Sequence, residues 1–397
     1  MSLLSTPPLS LYLHFPWCVR KCPYCDFNSY TLHGELAEDH YVNALERDIQ
    51  SQSVALAGRE IVSIFMGGGT PSLFSPRAIA RVLEATRAHL AVACDVEVTM
   101  EANPGTIERG RFAEYRAAGI NRVSLGAQSF NSRRLETLGR IHSPDETRRA
   151  AEELHTAGLD NFNLDLMYAL PGQDLNEALY DLEAAIALGP THLSHYQLTL
   201  EPGTVFAAQP PQGLPSDDVA ADILAACAAR LGEAGFGQYE VSGYAQPNRQ
   251  CRHNLNYWTF GDYLGVGAGA HGKLTCPDSN TIVRTVQARD PRRYLSAVPA
   301  ALTTKEVRSA DLPFEFMLNA LRLVEGFEIE TFVRRTGLEW EQVAPAVQAL
   351  VGRKLLRVVG SRVHATLVGL RFLNDLLLSF LSETPQTTGA FGLSTAL

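Results

Sequence analysis

The stretch LYLHFPWCVRKCPYCDFNSY, Leu11–Tyr30, decides how the rest of the chain is read. Leu11–Phe15 is a short, largely apolar run of the kind that forms a buried strand. Cys18, Cys22 and Cys25 follow with the spacing C-x3-C-x2-C, on the loop that leaves that strand. In a parallel α/β sheet, loops at this edge carry the ligand sites. Thiolates are soft ligands that suit zinc or an iron–sulfur cluster. A structural zinc site wants four protein ligands, so His14 or Cys251 would have to supply a fourth. On a four-iron cluster, three thiolates leave one iron for a small chelating molecule. Both readings stand on spacing alone.

Outward from this loop, helix-like segments repeatedly end at a glycine and are followed by strand-like runs. Gly119 precedes Val123–Leu125, Gly158 precedes Phe162–Met167, Gly189 precedes Thr191–Leu198 and Gly235 precedes Gln238–Val241. Glycine just past the last turn is a helix stop. Strands also fit Ile61–Met66 and Asp95–Glu101. Helices fit Ser75–Leu90, Ile107–Ala118, Pro144–Thr156, Asn176–Leu188 and Ser216–Glu233. This alternation predicts an α/β chain built as a partial, open (β/α)6-type barrel with right-handed connections. The expected organisation is an extension over 1–10, the barrel over 11–246 and a glycine-rich, irregular bridge over 247–310. A C-terminal helical, winged-helix-like domain with a hairpin at LLRVVGSRVHATL follows over 311–382, then a disordered tail over 383–397.

Composition narrows the function classes. The chain has 397 residues, 46% hydrophobic and 19% charged, with 34 Lys+Arg against 43 Asp+Glu and a net charge of -9. The acidic balance argues against broad adhesion to nucleic acid. Arg334 and Arg335 are followed by Glu339 and Glu341, which weakens a nucleic-acid reading of the winged domain. No apolar run is long enough to cross a bilayer, and MSLLSTPPLS is unlike a secretory signal. Seven cysteines, with four scattered, fit a reducing cytosol better than a disulfide framework.

The cysteine triple resembles the cluster motif of radical S-adenosylmethionine (SAM) proteins. With FMGGGTPSLF, EANPGT, SLGAQSF, LGRIH, CRHNLNYW and GVGAGAHGKL, the chain from about Leu11 to Leu381 resembles the HemW-type haem chaperones of that superfamily. These are relatives of oxygen-independent coproporphyrinogen III oxidase (HemN). The resemblance implies a radical SAM barrel and a [4Fe-4S] cluster on Cys18, Cys22 and Cys25. SAM would bind the free iron, and one-electron cleavage would yield a 5′-deoxyadenosyl radical. It implies haem as cargo, respiratory haem proteins as recipients and a homodimer, with no nucleic-acid partner. It places the protein in the cytoplasm, at the membrane only through its recipients. The alternative is the oxidase reaction, radical decarboxylation of coproporphyrinogen III to protoporphyrinogen IX. Two departures oppose it. Phe27 stands where the oxidase carries a further cysteine, and only ten residues precede Leu11.

The resemblance assigns Gly68, Gly69 and Thr70 to the methionine part of SAM. A glycine-rich turn lets backbone groups approach a polar ligand, and no GK[ST] follows to make it a phosphate loop. Glu101, at a strand end, is otherwise a cap or surface group. By resemblance it lies with Gln128 in the SAM or substrate pocket. Arg140 offers a bidentate contact to a carboxylate. Asp165 lies inside a strand and needs a partner, either SAM's ribose hydroxyls or a nearby arginine. Tyr12 packs against the ligand or in the core. Strand alternation puts Tyr12 with His14, and Asp165 with Asn163 and Met167.

Haem handling falls by resemblance on CRHNLNYW, with His253, Asn254, Tyr257 and Trp258 as cofactor-binding candidates beside Cys251. Histidine and thiolate ligate haem iron, and aromatic rings pack on porphyrin. The opposing reading makes this segment scaffold, with His253 bonded and Trp258 filling a domain seam. No C-x-x-C-H is present for covalent c-type attachment. His271 is a further candidate ligand. His192 and His195 read as packed residues, and Cys94, Cys227 and Cys276 as ordinary thiols.

Overall fold

In the computed structural model, residues 4–56, 58–106 and 111–381 are described. Six parallel strands follow one another in chain order: β1 (Leu9–Phe15), β2 (Glu60–Gly68), β3 (Ala91–Ala102), β4 (Arg122–Gln128), β5 (Phe162–Tyr168) and β6 (His192–Gln197). Most of their residues are buried, as expected of strands covered on both faces. Helices Glu38–Ser53, Pro76–His89, Arg111–Ala118, Pro144–Thr156, Leu175–Ala187 and Asp217–Glu233 cover the outside. Local chemistry sets their ends. Ser143 with Glu146, and Asp174 with Glu177, form reciprocal capping boxes. The glycine stops hold too: Gly119, Gly158, Gly189 and Gly235 all have positive φ.

The sheet is wider than the sequence suggested. Beyond β6 it adds Gly243–Ala245 and Gly237–Gln238, both antiparallel. On the other flank, Asp262–Val266 lies parallel to β1, and His271–Cys276, Thr281–Val286 and Thr303–Glu306 continue as an antiparallel meander. The stretch expected to be an irregular bridge therefore holds four strands of one 12-stranded sheet. The short alternation in YLGVGAGAHGKL hid them, because glycines there serve close backbone approach. A Cβ on Gly265 would sit 2.0 Å from His271 O, and one on Gly269 2.2 Å from Asn28 Nδ2.

The C-terminal part has its own core around Phe316, Phe332, Leu350 and Val363, joined by Phe260 and Ile282 from the main sheet side. The expected hairpin is present as Leu356–Val359 and Arg362–Ala365, with Phe327–Glu328 as a third strand. Helices Leu312–Ala320, Ile329–Thr336 and Ala344–Gly352 complete it. The seam with the barrel is polar and aromatic. The Arg322 guanidinium lies 4.3 Å from the Trp258 ring centroid and pairs with Glu240 at 3.0 Å. The Val324 amide donates to Tyr239 O at 3.0 Å. The tail expected to be disordered, 383–397, lies outside the described residues.

Candidate functional site

The cysteine loop is organised before any ligand arrives. Trp17–Cys18 pairs with Tyr30–Thr31 and closes the loop at its base. Lys21 Nζ donates to Phe27 O at 2.9 Å and Ser29 O at 3.1 Å, folding the loop on itself. The Asn28 side chain reaches across to Ala268 O and Arg289 O, each at 3.0 Å. The GVGAGAHG turn is thus a support for this loop. All three cysteines are partly exposed and unbridged. Burial pushes the Cys18 thiol up and the Cys25 thiol up to about 11. A metal on these thiolates would replace that proton, so its loading would be favoured by rising pH.

A closed zinc site is not assembled. Both ring nitrogens of His14 are spent: Nδ1 accepts from Tyr12 OH at 3.1 Å, and Nε2–H donates to Asn28 O at 2.9 Å. Cys251 sits at the opposite end of the barrel, where its thiol donates to Glu97 Oε1 at 3.6 Å. Neither expected fourth ligand reaches the triple, which favours three thiolates with one open metal position.

The GGGT turn is pinned to that loop. Gly69 N donates to Phe15 O at 2.7 Å and Thr70 N to Trp17 O at 2.8 Å. A Cβ on Gly68 would lie 2.2 Å from the His14 ring, and its φ is +106°. Only glycine fits there. Its amide donates to Glu101 Oε2 at 3.1 Å. Burial, with the charge of Asp165 adding and the Gly68 amide opposing, pushes the Glu101 carboxyl up to about 8.

Asp165 faces the same interior. Its carboxylate accepts from Ser124 Oγ at 3.1 Å and Asn163 Nδ2 at 2.8 Å. Its partners are thus hydroxyl and amide; among the described residues no arginine hydrogen-bonds it, although the charge of Arg122 acts on it. Behind it runs a buried chain. Tyr239 OH donates to His192 Nε2 at 2.9 Å, and His192 Nδ1–H donates to Asn163 Oδ1 at 2.7 Å. His192 is packed, as expected, but it also fixes the amide that fixes Asp165. Met167, expected to share the Asp165 face, packs with Leu138 and Leu170 in a small apolar cluster that Tyr196 borders.

Gln128 ends β4 after a register shift, with φ +65°. This bulge turns the residue out of the sheet plane. Tyr196 OH donates to its Oε1 at 2.7 Å. Arg140 corrects one expectation. Its Nη2 donates to Gly126 O at 2.8 Å and its Nη1 to Cys22 Sγ at 3.7 Å. The fork is engaged, so the bidentate clasp expected of it is not presented. Its buried Nε has no partner among the described residues. That donor beside the thiolate loop, with the buried acids Glu101 and Asp165 on the strands either side of Gly126, fits a zwitterionic and cationic ligand such as SAM. Ser124, Tyr196 and Asn28 were missed in the sequence, and Asn163 was placed on the Asp165 face but not read as its hydrogen-bond partner. For Ser124, period-two alternation on β4 was the available signal.

CRHNLNYW forms the helix Arg252–Trp258, which plugs the other end of the barrel. Asn256 Nδ2 donates to Ser10 Oγ at 2.9 Å, and Arg252 N to Glu97 Oε1 at 2.9 Å. His253 is 0% exposed, with its ring 5.0 Å from those of Phe65 and Tyr257. Its Nδ1 is 3.2 Å from Ser63 Oγ, and its Nε2 has no partner among the described residues. Burial, then the Arg122 charge, lowers it to about 3, so the ring is neutral. Tyr257 packs on Tyr263 at 4.2 Å, Trp258 fills the domain seam, and Asn254 is half-buried. His271 is exposed at the start of its strand, away from this plug.

Comparison with known proteins agrees with this geometry. The profile of the Radical SAM superfamily matches residues 12–185, and that of the HemN C-terminal domain matches 307–372. The chain is 49% identical over 386 residues to the heme chaperone HemW of Escherichia coli, covering 96% of this chain and 100% of that protein. It is 45% identical to the heme chaperone HemW of Haemophilus influenzae, covering 95% and 99%. A mouse relative, radical S-adenosyl methionine domain-containing protein 1, mitochondrial, is 35% identical, covering 95% and 88%. Among solved structures, coproporphyrinogen III oxidase (HemN) from Escherichia coli superposes with a TM-score of 0.80, covering 94% and 90% at 24% identity. At that identity the likeness speaks for the fold.

Proposed function

The chain belongs to the HemW family of the radical SAM superfamily, and on that premise we propose that it is a haem-binding chaperone that passes haem to respiratory haem proteins. Cys18, Cys22 and Cys25 would hold a [4Fe-4S] cluster. Gly68, Gly69, Thr70, Glu101, Gln128, Arg140, Asp165 and Tyr12 would surround SAM on its open iron. When bound, cluster and SAM supply one-electron cleavage chemistry. The chain's own residues would orient the ligand: the Gly68–Glu101 pair and Asp165 from the two strands that flank β4, and Gln128, held by Tyr196, from the end of β4.

The observation that carries the haem reading is His253. Its ring is neutral, one nitrogen faces a serine hydroxyl, and Nε2 is left without a partner among the described residues. A ligating histidine has this form, with the second nitrogen held by the protein. Because His253 is sealed, loading requires the helix Arg252–Trp258 to swing out of the barrel end. Phe27 in place of a further cysteine supports this reading over porphyrinogen decarboxylation.

The test is an anaerobic haem titration of the cluster-loaded protein, read at the Soret band. Saturation at about one haem per chain with low-micromolar or tighter affinity is expected. Absence of specific binding, with SAM-dependent decarboxylation of coproporphyrinogen III, would overturn the assignment in favour of the oxidase.

Two further outcomes follow from the SAM site. Alanine at any one of Cys18, Cys22 or Cys25 should drop bound iron from about four per chain to below one, by iron analysis. His192→Ala should raise the Kd for SAM about tenfold in equilibrium dialysis, because Asn163 loses its anchor. Tyr239→Phe should shift it in the same direction by less. Unchanged affinity in both would remove Asp165 from contact with SAM.

A further inference from the structure

The C-terminal hairpin and the short helices after it depart in charge and polarity from the rest of the chain. Residues 351–381 hold Arg353, Lys354, Arg357, Arg362 and Arg371 against a single acid, Asp375, in a protein of net charge -9. Arg362 is engaged by Glu328 at 2.7 Å. Arg353, Lys354, Arg357 and Arg371 are exposed.

Large apolar side chains stand beside them. Leu367 is 81% exposed, Leu378 60%, Phe372 54% and Val368 51%. Their placement follows from backbone packing. Thr366 N donates to Leu355 O at 2.9 Å, and Thr366 Oγ1 donates to Lys354 O at 2.8 Å. Gly369 lies against Leu355, where a Cβ would come within 2.0 Å of the carbonyl oxygen. The helix Leu367–Arg371 is therefore seated on the Arg353–Leu355 turn by its glycine side. Leu367, Val368 and Phe372 project from it next to Arg353, Lys354 and Arg371.

We propose that this basic and apolar surface docks the protein directly on an anionic lipid bilayer. Exposed leucine, valine and phenylalanine ringed by arginine and lysine match the two attractions of such a surface, apolar insertion at the headgroup level and charge. A second copy of the chain would bring the same positive patch to a two-fold contact and be repelled. Nucleic acid is disfavoured by the aliphatic side chains. It is disfavoured too by the helix Ala344–Gly352, which carries no lysine or arginine. Direct lipid contact would hold a haem carrier where membrane-bound recipients lie, yet it rests on no feature of the haem or SAM sites.

The experiment is co-sedimentation of the full, cluster-loaded chain with vesicles. One set is phosphatidylcholine; the other contains about a quarter phosphatidylglycerol. Binding is expected to the anionic vesicles alone and to be lost near 1 M salt, where screening is about 3 Å. Arg353→Glu with Lys354→Glu should weaken it at least about tenfold, and Leu367→Asp with Phe372→Asp by a similar factor. These positions are exposed, so far-UV circular dichroism and the haem titration should match the parent and establish folding. The proposal is overturned if the parent does not sediment with anionic vesicles, or binds neutral ones equally. It is also overturned if the aspartate pair binds like the parent, if an oligonucleotide binds through the same arginines more tightly, or if sedimentation velocity shows self-association that the aspartate pair abolishes. Loss of haem binding in the parent would defeat the chaperone reading and leave this result standing.

Discussion

Glu101→Gln should make the ligand-free protein more stable at pH 9 and worse at binding SAM. The Glu101 carboxyl is raised from 4.5 to about 8 by burial and by the neighbouring Asp165 charge. Its contribution is therefore fully present below pH 4.5 and is lost as pH rises through 8. Above that point the folded chain carries a poorly solvated charge that the unfolded chain does not. The full shift corresponds to at most about 5 kcal/mol. Water at the barrel mouth and charge sharing with Asp165 reduce this, so the expected gain at pH 9 is about 1–3 kcal/mol. At pH 5 parent and variant should unfold together in a denaturant titration. SAM carries an ammonium and a sulfonium, and binding it lets Glu101 ionise. The variant loses that attraction, and its Kd should rise about 10–100-fold at pH 8. Stability and binding moving in opposite directions mark a site held in tension for its ligand. A variant less stable than the parent at pH 9, or equal to it in SAM affinity, would place Glu101 outside the site.

His253→Ala should cost both stability and haem, and the two losses should separate. The ring is fully buried against Phe65 and Tyr257. Its removal leaves a cavity in the barrel plug and takes from Ser63 Oγ one of its two partners, leaving Ser10 Oγ at 2.7 Å, a cost of about 2–4 kcal/mol by denaturant titration. If His253 is the axial ligand, the haem complex should lose its parent Soret position and regain it when free imidazole ligates the haem iron in its place. A variant that keeps the parent spectrum without imidazole would make His253 scaffold only. His253→Gln serves as the second probe, since it fills more of the space and cannot ligate as imidazole does.

Much of the barrel was legible because its signals are local. Capping residues, glycine stops and buried apolar runs set helices and strands one at a time. The order β1 to β6 then follows from right-handed crossovers. The cysteine triple and the GGGT turn were readable for the same reason, since contiguous residues serve one loop. The strands of 262–306 were not. Asp262–Val266 is parallel to β1 but enters from the far end of the chain, and no local period announces such a neighbour.

By itself, then, the sequence determined the α/β class, the three-thiolate loop, the glycine turn beside it and the membership that these motifs mark. Only the tertiary structure decided what the polar residues do. It spent Arg140 on Gly126 and Cys22, and raised Glu101 by burying it and setting the Asp165 charge nearby. It joined His192 to Asp165 through Asn163, and sealed His253 in the barrel's end with one nitrogen free. The reason is physical. A strand's period names the face a side chain takes, but its hydrogen-bond partner and solvation come from strands and helices distant in sequence. In a low-dielectric barrel those partners set its charge.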